Sequence, residues 1–137
     1  MNGDRARQPD IAKAMSMAEA AAKDMAFVLS LPVTEAAGPT IVRGVYENFR
    51  LLGDALLVAK GIQTVEHTEM IGALMQLRVK TSRPLRVLDN LRKLRHDVNY
   101  RGYRPTLDEI EDAIAIAKSL FEPLKRVVLV QIKSLGV

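Results

Sequence analysis

A chain of 137 residues, 48% hydrophobic and 26% charged, has the size and balance of one globular domain with a core of its own. It has no cysteine, which excludes a disulfide framework, a thiol nucleophile and a cysteine-based zinc site, and its two histidines, His67 and His96, are too few for a His-rich metal site. The net charge of +4 is unevenly held: nine Lys/Arg and two acids between Arg78 and Arg104 give +7 and leave −3 on the rest, a local basic block suited to a polyanion.

The apolar residues recur with the helical period along most of the chain. Residues 1–9 precede the first periodic stretch and are expected to form a flexible N-terminus, with one helical domain over 10–137. The first helix is predicted from about Asp10, as N-cap, to Leu31, with Ile11, Met15, Ala18, Ala22, Met25 and Leu29 on one stripe and Pro32 forbidding continuation. Pro32 to Pro39 reads as a linker broken at Gly38-Pro39. A second helix should then run from Thr40, as N-cap, to Lys60, burying Val42, Val45, Phe49, Leu52, Leu56 and Ala59 and closing on Gly61. A shorter third helix is expected over roughly Glu66 to Val79, burying Met70, Ile71, Leu74 and Leu77.

The fourth helix is predicted from Arg83 or Pro84 to Asn99, with Pro84 in its first turn and Ser82 as candidate cap. After the loop Tyr100-Arg-Gly-Tyr-Arg-Pro105, Thr106-Leu-Asp-Glu109 has the capping-box pattern and starts a fifth helix. Pro123 should kink or divide that helix, and the β-branched run Val127 to Val130 is assigned to helix from its context. The fold class is therefore all-α, an antiparallel up-and-down bundle of four to five helices. No apolar run is long enough to span a bilayer, and the N-terminus lacks the apolar core of a signal peptide. A cytoplasmic protein without a membrane partner is expected.

Chemistry concentrates in Leu91-Arg-Lys-Leu-Arg-His-Asp-Val-Asn-Tyr100. On a helical wheel Val87, Leu91, Leu94 and Val98 centre the buried stripe. Arg95 falls at its edge, and Arg92, His96 and Asn99 lie just beyond it. Arginine offers a fixed fork for phosphate, and histidine moves protons near neutral pH, so this cluster suits a phosphate-handling groove. Arg101 and Arg104 in the following loop extend the expected phosphate contacts. With no cysteine and two histidines no metal is expected, the scattered glycines form no phosphate loop, and no cofactor is expected. The carboxylates Asp108, Glu109, Glu111 and Asp112 sit in a helix's opening turns, where they favour its dipole.

The stretches Val45 to Gly61, His67 to Leu74, Leu94 to Tyr100 and the helix from Thr106 onward, in their order and spacing, together resemble the HEPN domain family, the last of them its last long helix. Val45-Tyr-Glu-Asn-Phe-Arg-Leu-Leu-Gly-Asp-Ala-Leu-Leu-Val-Ala-Lys-Gly61 is similar to its aromatic-rich second helix, and His67-Thr-Glu-Met-Ile-Gly-Ala-Leu74 to its next element. Leu94-Arg-His-Asp-Val-Asn-Tyr100 resembles its Arg-containing helix end, and the likeness runs from about Asp10 to Leu135. Active members of that family are metal-independent endoribonucleases that use an Arg, a polar neighbour and a His about five positions on. The resemblance therefore implies catalytic roles for Arg95, His96 and the residue at Tyr100. Here the pattern departs: Tyr100 stands where the His is expected, and reading Arg92 as the Arg puts His96 only four positions on. A phenol with a pKa near ~10 is a poor base at neutral pH.

The resemblance implies RNA or nucleotide binding, a homodimer, and a toxin-like, ribonuclease-like component paired with a small nucleotidyltransferase-like antitoxin. The alternative is a catalytically inert helical module that dimerises or docks on a partner. A superficial likeness of Gly38 to Phe49 to a helix-turn-helix recognition helix is weakened because the helix continues to Lys60 and Val42, Val45 and Phe49 are expected to be buried.

Overall fold

The computed structural model describes residues 5–64 and 66–136. Part of the N-terminus expected to be flexible, residues 1–4, lies outside the described residues. Arg5–Ala6 (β1) runs antiparallel to Ile62–Gln63 (β2), and the Arg7 N–H donates to the Gly61 carbonyl at 2.9 Å. Five helices make up the rest: α1 (Ile11–Leu29), α2 (Gly38–Lys60), α3 (His67–Met75), α4 (Val87–Tyr100) and α5 (Leu107–Leu135). The molecule is an all-α bundle, as its apolar period implies.

Asp10 caps α1 as expected, its carboxylate accepting the Lys13 N–H at 2.9 Å. Helix α2 begins two residues before the expected Thr40 cap, because Pro39 fits a first turn in which its missing N–H costs nothing. Gly38-Pro39 is thus the start of the helix and not a break. At the far end Gly61 takes φ 73°, the left-handed conformation that lets the chain leave the helix and enter β2. Val42, Val45 and Phe49 are fully buried within a helix that continues to Lys60, so these side chains belong to the core and not to a groove-reading face.

Helix α3 stops at Met75, four residues short of the expected Val79, after burying Met70, Ile71 and Leu74; Leu77 is only partly buried. Beyond it exposure alternates residue by residue from Gln76 to Val87, through chain that carries no helix and then turns into α4. Helix α4 consequently starts later than Arg83 or Pro84. Pro84 lies in a lead-in turn, where the N–H groups of Val87, Leu88 and Asp89 bond three residues back, and Ser82 caps nothing. Helix α5 opens on the expected capping box: the Thr106 hydroxyl accepts the Glu109 N–H at 3.2 Å and the Glu109 carboxylate accepts the Thr106 N–H at 2.9 Å. Pro123 does not divide α5. Leu120, Phe121, Leu124, Val128 and Ile132 are buried around it, and that packing outweighs the roughly 3 kcal/mol a mid-helix proline costs.

Helices α1, α2 and α5 pack on one another, with α3 and α4 laid against α2. Phe49 of α2 meets Phe121 of α5 edge-on at 5.5 Å between ring centres. Gly53 brings α2 and α3 together: a Cβ there would overlap the Met70 carbonyl. Among the described residues no helix is long and apolar enough to cross a membrane.

Candidate functional site

Helix α4 lies on α2 through Leu88, Leu91 and Val98, with Val87 and Leu94 only partly buried. Its buried face is therefore turned roughly 40° toward Leu88 from the wheel expected from the sequence, at ~100° per residue. The rotation changes the setting of each polar residue. Arg95 comes within about 30° of the buried centre, while His96 lies about 130° away from it.

Arg95 accordingly faces α2. Its side chain is 16% exposed, and its guanidinium lies over the Tyr46 ring at 5.0 Å. One Nη reaches Glu47 Oε1 at 3.4 Å, while its buried Nε finds no hydrogen-bond partner among the described residues. Glu47 also pairs with Arg50 at 2.9 Å, so one carboxylate serves two arginines. Burial pushes the Tyr46 phenol above its ordinary pKa, with the charge of Arg95 pulling the other way.

The outer face of α4 has a different character. Arg92, Lys93, His96, Asp97 and Arg101 border an open cavity of about 320 Å³. The His96 and Tyr100 rings lie 4.9 Å apart and tilted by 45°, with Tyr100 68% exposed. Asp89 accepts from Arg92 Nε at 2.9 Å and pairs with Lys93 at 3.5 Å. The hydrogen bond from Arg92 is the main reason its carboxyl sits below the ordinary range. Arg101 pairs with Asp97 at 3.6 Å.

Asn99 and Arg104 belong to neither environment. Asn99 Oδ1 accepts from Arg43 Nε at 2.7 Å, and Arg104 borders a second cavity between the start of α2 and the α4–α5 loop. The seven residues singled out in the sequence thus fall into three places. Arg92, His96 and Arg101 border the outer groove with Tyr100 beside His96, Arg95 is folded onto α2, and Arg104 borders the second cavity, where Asn99 holds Arg43. A further cavity, between α4 and α5, has an apolar floor of Leu91, Leu94, Ala113 and Ile116 but a rim of Asp108, Glu109 and Asp112 that repels anions.

Arg43, Tyr46 and Glu47 on α2, the partners of Asn99 and Arg95, and Arg50, which shares Glu47, were not singled out from the sequence. A signal was present: 43, 47 and 50 recur at helical spacing beside the core stripe of α2. Internal pairing also tempers the basic block. Five of its nine bases, Arg83, Arg92, Lys93, Arg95 and Arg101, have carboxylate partners within the chain. Among the described residues no group of three or more His, Cys, Asp or Glu side chains is placed to hold a metal ion. What the outer groove offers is fixed cations around a solvent-facing imidazole, a setting that can seat a phosphate and move a proton beside it.

A family model described as HEPN domain matches residues 54–127, more than half of the chain and the whole of α3 and α4. No curated protein matches the chain, and neither does any solved structure.

Proposed function

We propose that this chain, which belongs to the HEPN domain family, binds the phosphates of RNA or of a nucleotide in the outer groove of α4. The observation that carries this reading is the ring of Arg92, Lys93 and Arg101 around His96, with the exposed Tyr100 ring tilted against the imidazole at 4.9 Å. Cations attract the backbone, and an exposed aromatic pair gives a base a surface on which to stack. Tyr100 stands where a ribonuclease of this family would carry its His, so the groove is a binding site with a degenerate catalytic motif. Arg95 acts as a positioning residue that fixes α4 on α2. The finer reading is a homodimer joined near α4, acting as a toxin-like, ribonuclease-like component beside a small nucleotidyltransferase-like antitoxin.

The test is fluorescence anisotropy of a labelled single-stranded RNA across a salt series. Replacing Arg92 and Arg101 together with Glu should weaken binding and lower the salt slope by about 1.4, since each phosphate contact on a single strand contributes ~0.7. No binding by the wild type at low salt, or an unchanged slope in the variant, overturns the reading. One observation favours an inert dimerisation or docking module instead: the internal ion pairs of Arg92, Lys93 and Arg101 already offset much of the groove's charge. Sedimentation equilibrium showing a homodimer that binds no RNA would select that alternative.

A further inference from the structure

The second cavity, of about 320 Å³, lies between the first turns of α2 and the α4–α5 loop. Its polar lining comes from Thr40, Arg43, Tyr103 and Arg104, and among the described residues no carboxylate borders it. The Tyr103 hydroxyl donates to Glu109 and its N–H to the Asp97 carbonyl at 3.1 Å, which pins the loop in place. Gly102, at φ 63°, turns the chain back so that Arg104 arrives beside α2.

Neither Arg43 nor Arg104 has an ion pair among the described residues, unlike most of the bases along α4. Arg43 is nonetheless held. Its Nε donates to Asn99 at 2.7 Å, which anchors the side chain and leaves both Nη groups for a ligand. Two guanidinium groups without carboxylates, one of them anchored, together with a hydroxyl, match a tetrahedral oxyanion able to accept several charge-assisted hydrogen bonds. The volume is at the lower end of small-molecule sites, at ~300 Å³, enough for one phosphate with part of its sugar and too small for a longer segment.

We propose that this cavity is a phosphate subsite, with Arg43, Arg104 and Thr40 as its contacts. It rests on the reading of the outer groove as a phosphate site and extends it across Asn99 to a second position. The phosphate belongs either to a free nucleotide or to one unit of an RNA strand that continues toward His96.

The experiment titrates the full chain with inorganic phosphate, AMP and a short oligouridine, following the Arg43 Nε–H resonance and the binding isotherm. The variants are Arg43→Gln with Arg104→Gln, the fork-removing Arg43→Lys, and the outer-groove pair Arg92→Glu with Arg101→Glu. Thermal melts check that each is folded. A shifted Arg43 signal, and at least a tenfold loss of AMP or oligouridine affinity in the Arg43/Arg104 variant, is the expected result. Arg43→Lys should lose affinity in part, because it keeps the charge without the fork. Tighter binding of oligouridine than of AMP assigns the phosphate to a strand, and equal binding assigns it to a nucleotide.

Oligouridine binding that depends on Arg92 and Arg101 but is untouched in the Arg43/Arg104 variant overturns the subsite and keeps the outer groove. AMP binding that depends on Arg43 and Arg104, with no effect of the outer-groove variant on any ligand, supports the subsite and overturns the groove. If none of the three ligands moves the Arg43 signal, the subsite is wrong.

Discussion

Replacing Arg95 with Met, which keeps the stem and removes the charge, should cost the protein about 1 kcal/mol. Three contributions set that figure. The guanidinium over Tyr46 at 5.0 Å is partly desolvated, and such a contact contributes about 1–2 kcal/mol. The pair with Glu47 is long at 3.4 Å and its carboxylate is 40% exposed, so solvent screening holds it to roughly 0.5 kcal/mol. Against these, the buried Nε has no hydrogen-bond partner among the described residues, and an unsatisfied donor costs on the order of 1 kcal/mol, which Met relieves. A net 1 kcal/mol corresponds to a fall of about 3–5 °C in Tm for a domain of this size. Thermal melts of Arg95→Met and Glu47→Gln, singly and together, isolate the pair in a double-mutant cycle. Single-stranded RNA affinity should stay within a few-fold of wild type, because Arg95 does not border the outer groove. A loss of 3 kcal/mol or more, as for a stranded buried charge, would refute the reasoning. So would a fully stable variant that no longer binds RNA, since Arg95 would then touch the ligand.

Gly53→Ala should destabilise the fold by about 1–3 kcal/mol despite the ~1 kcal/mol that Ala gains in helix propensity, because its Cβ would meet the Met70 carbonyl, a backbone atom that yields only if α3 moves. Urea denaturation decides the sign, and a stabilised variant contradicts the close approach of α2 and α3. Stability should also fall in acid. Burial pushes the Glu109 carboxyl up, but hydrogen bonds from the Thr106 N–H and the Tyr103 hydroxyl outweigh it and hold the carboxyl below the ordinary range, where Asp89 also sits. A depressed folded pKa gives stability that is complete above the unfolded value, about pH 4, and lost as pH falls through the folded one. Melts from neutral pH down to about pH 3 should therefore show a shallower acid decline in Glu109→Gln than in wild type, and parallel declines would count against the capping box as a source of acid sensitivity.

Much of the fold was legible because its signals are local. Asp10 before α1, Thr106 with Glu109 at the head of α5, and Gly61 at the foot of α2 each satisfy backbone groups within a few residues, so neighbours in sequence suffice to place them. The apolar period needs no more than one turn of helix to declare a buried face. Gln76 to Val79 and Arg83 to Arg86, expected to be helix ends, were misread for the opposite reason. Apolar and polar residues alternate only over Leu77 to Lys80 and Leu85 to Val87, and stretches this short are ambiguous in period, so only the surface they lie on kept them out of a helix.

The α4 site divides the same way. That it would be basic and carry His96 followed from the sequence, whereas Tyr100, expected to open the loop, is the last residue of α4 and so lies four residues on beside His96. Which of its arginines faces outward depended on how α4 rolls on α2. A rotation of roughly 40°, less than half the angle between neighbouring residues, puts Arg95 against Tyr46 and leaves Arg92 at the groove. The partners that hold Arg95 and Asn99, Glu47 and Arg43, lie 48 and 56 residues away along the chain. Pairings at that separation are set by the packing of two whole helix faces, which a local period does not encode, and so the tertiary structure alone decided them.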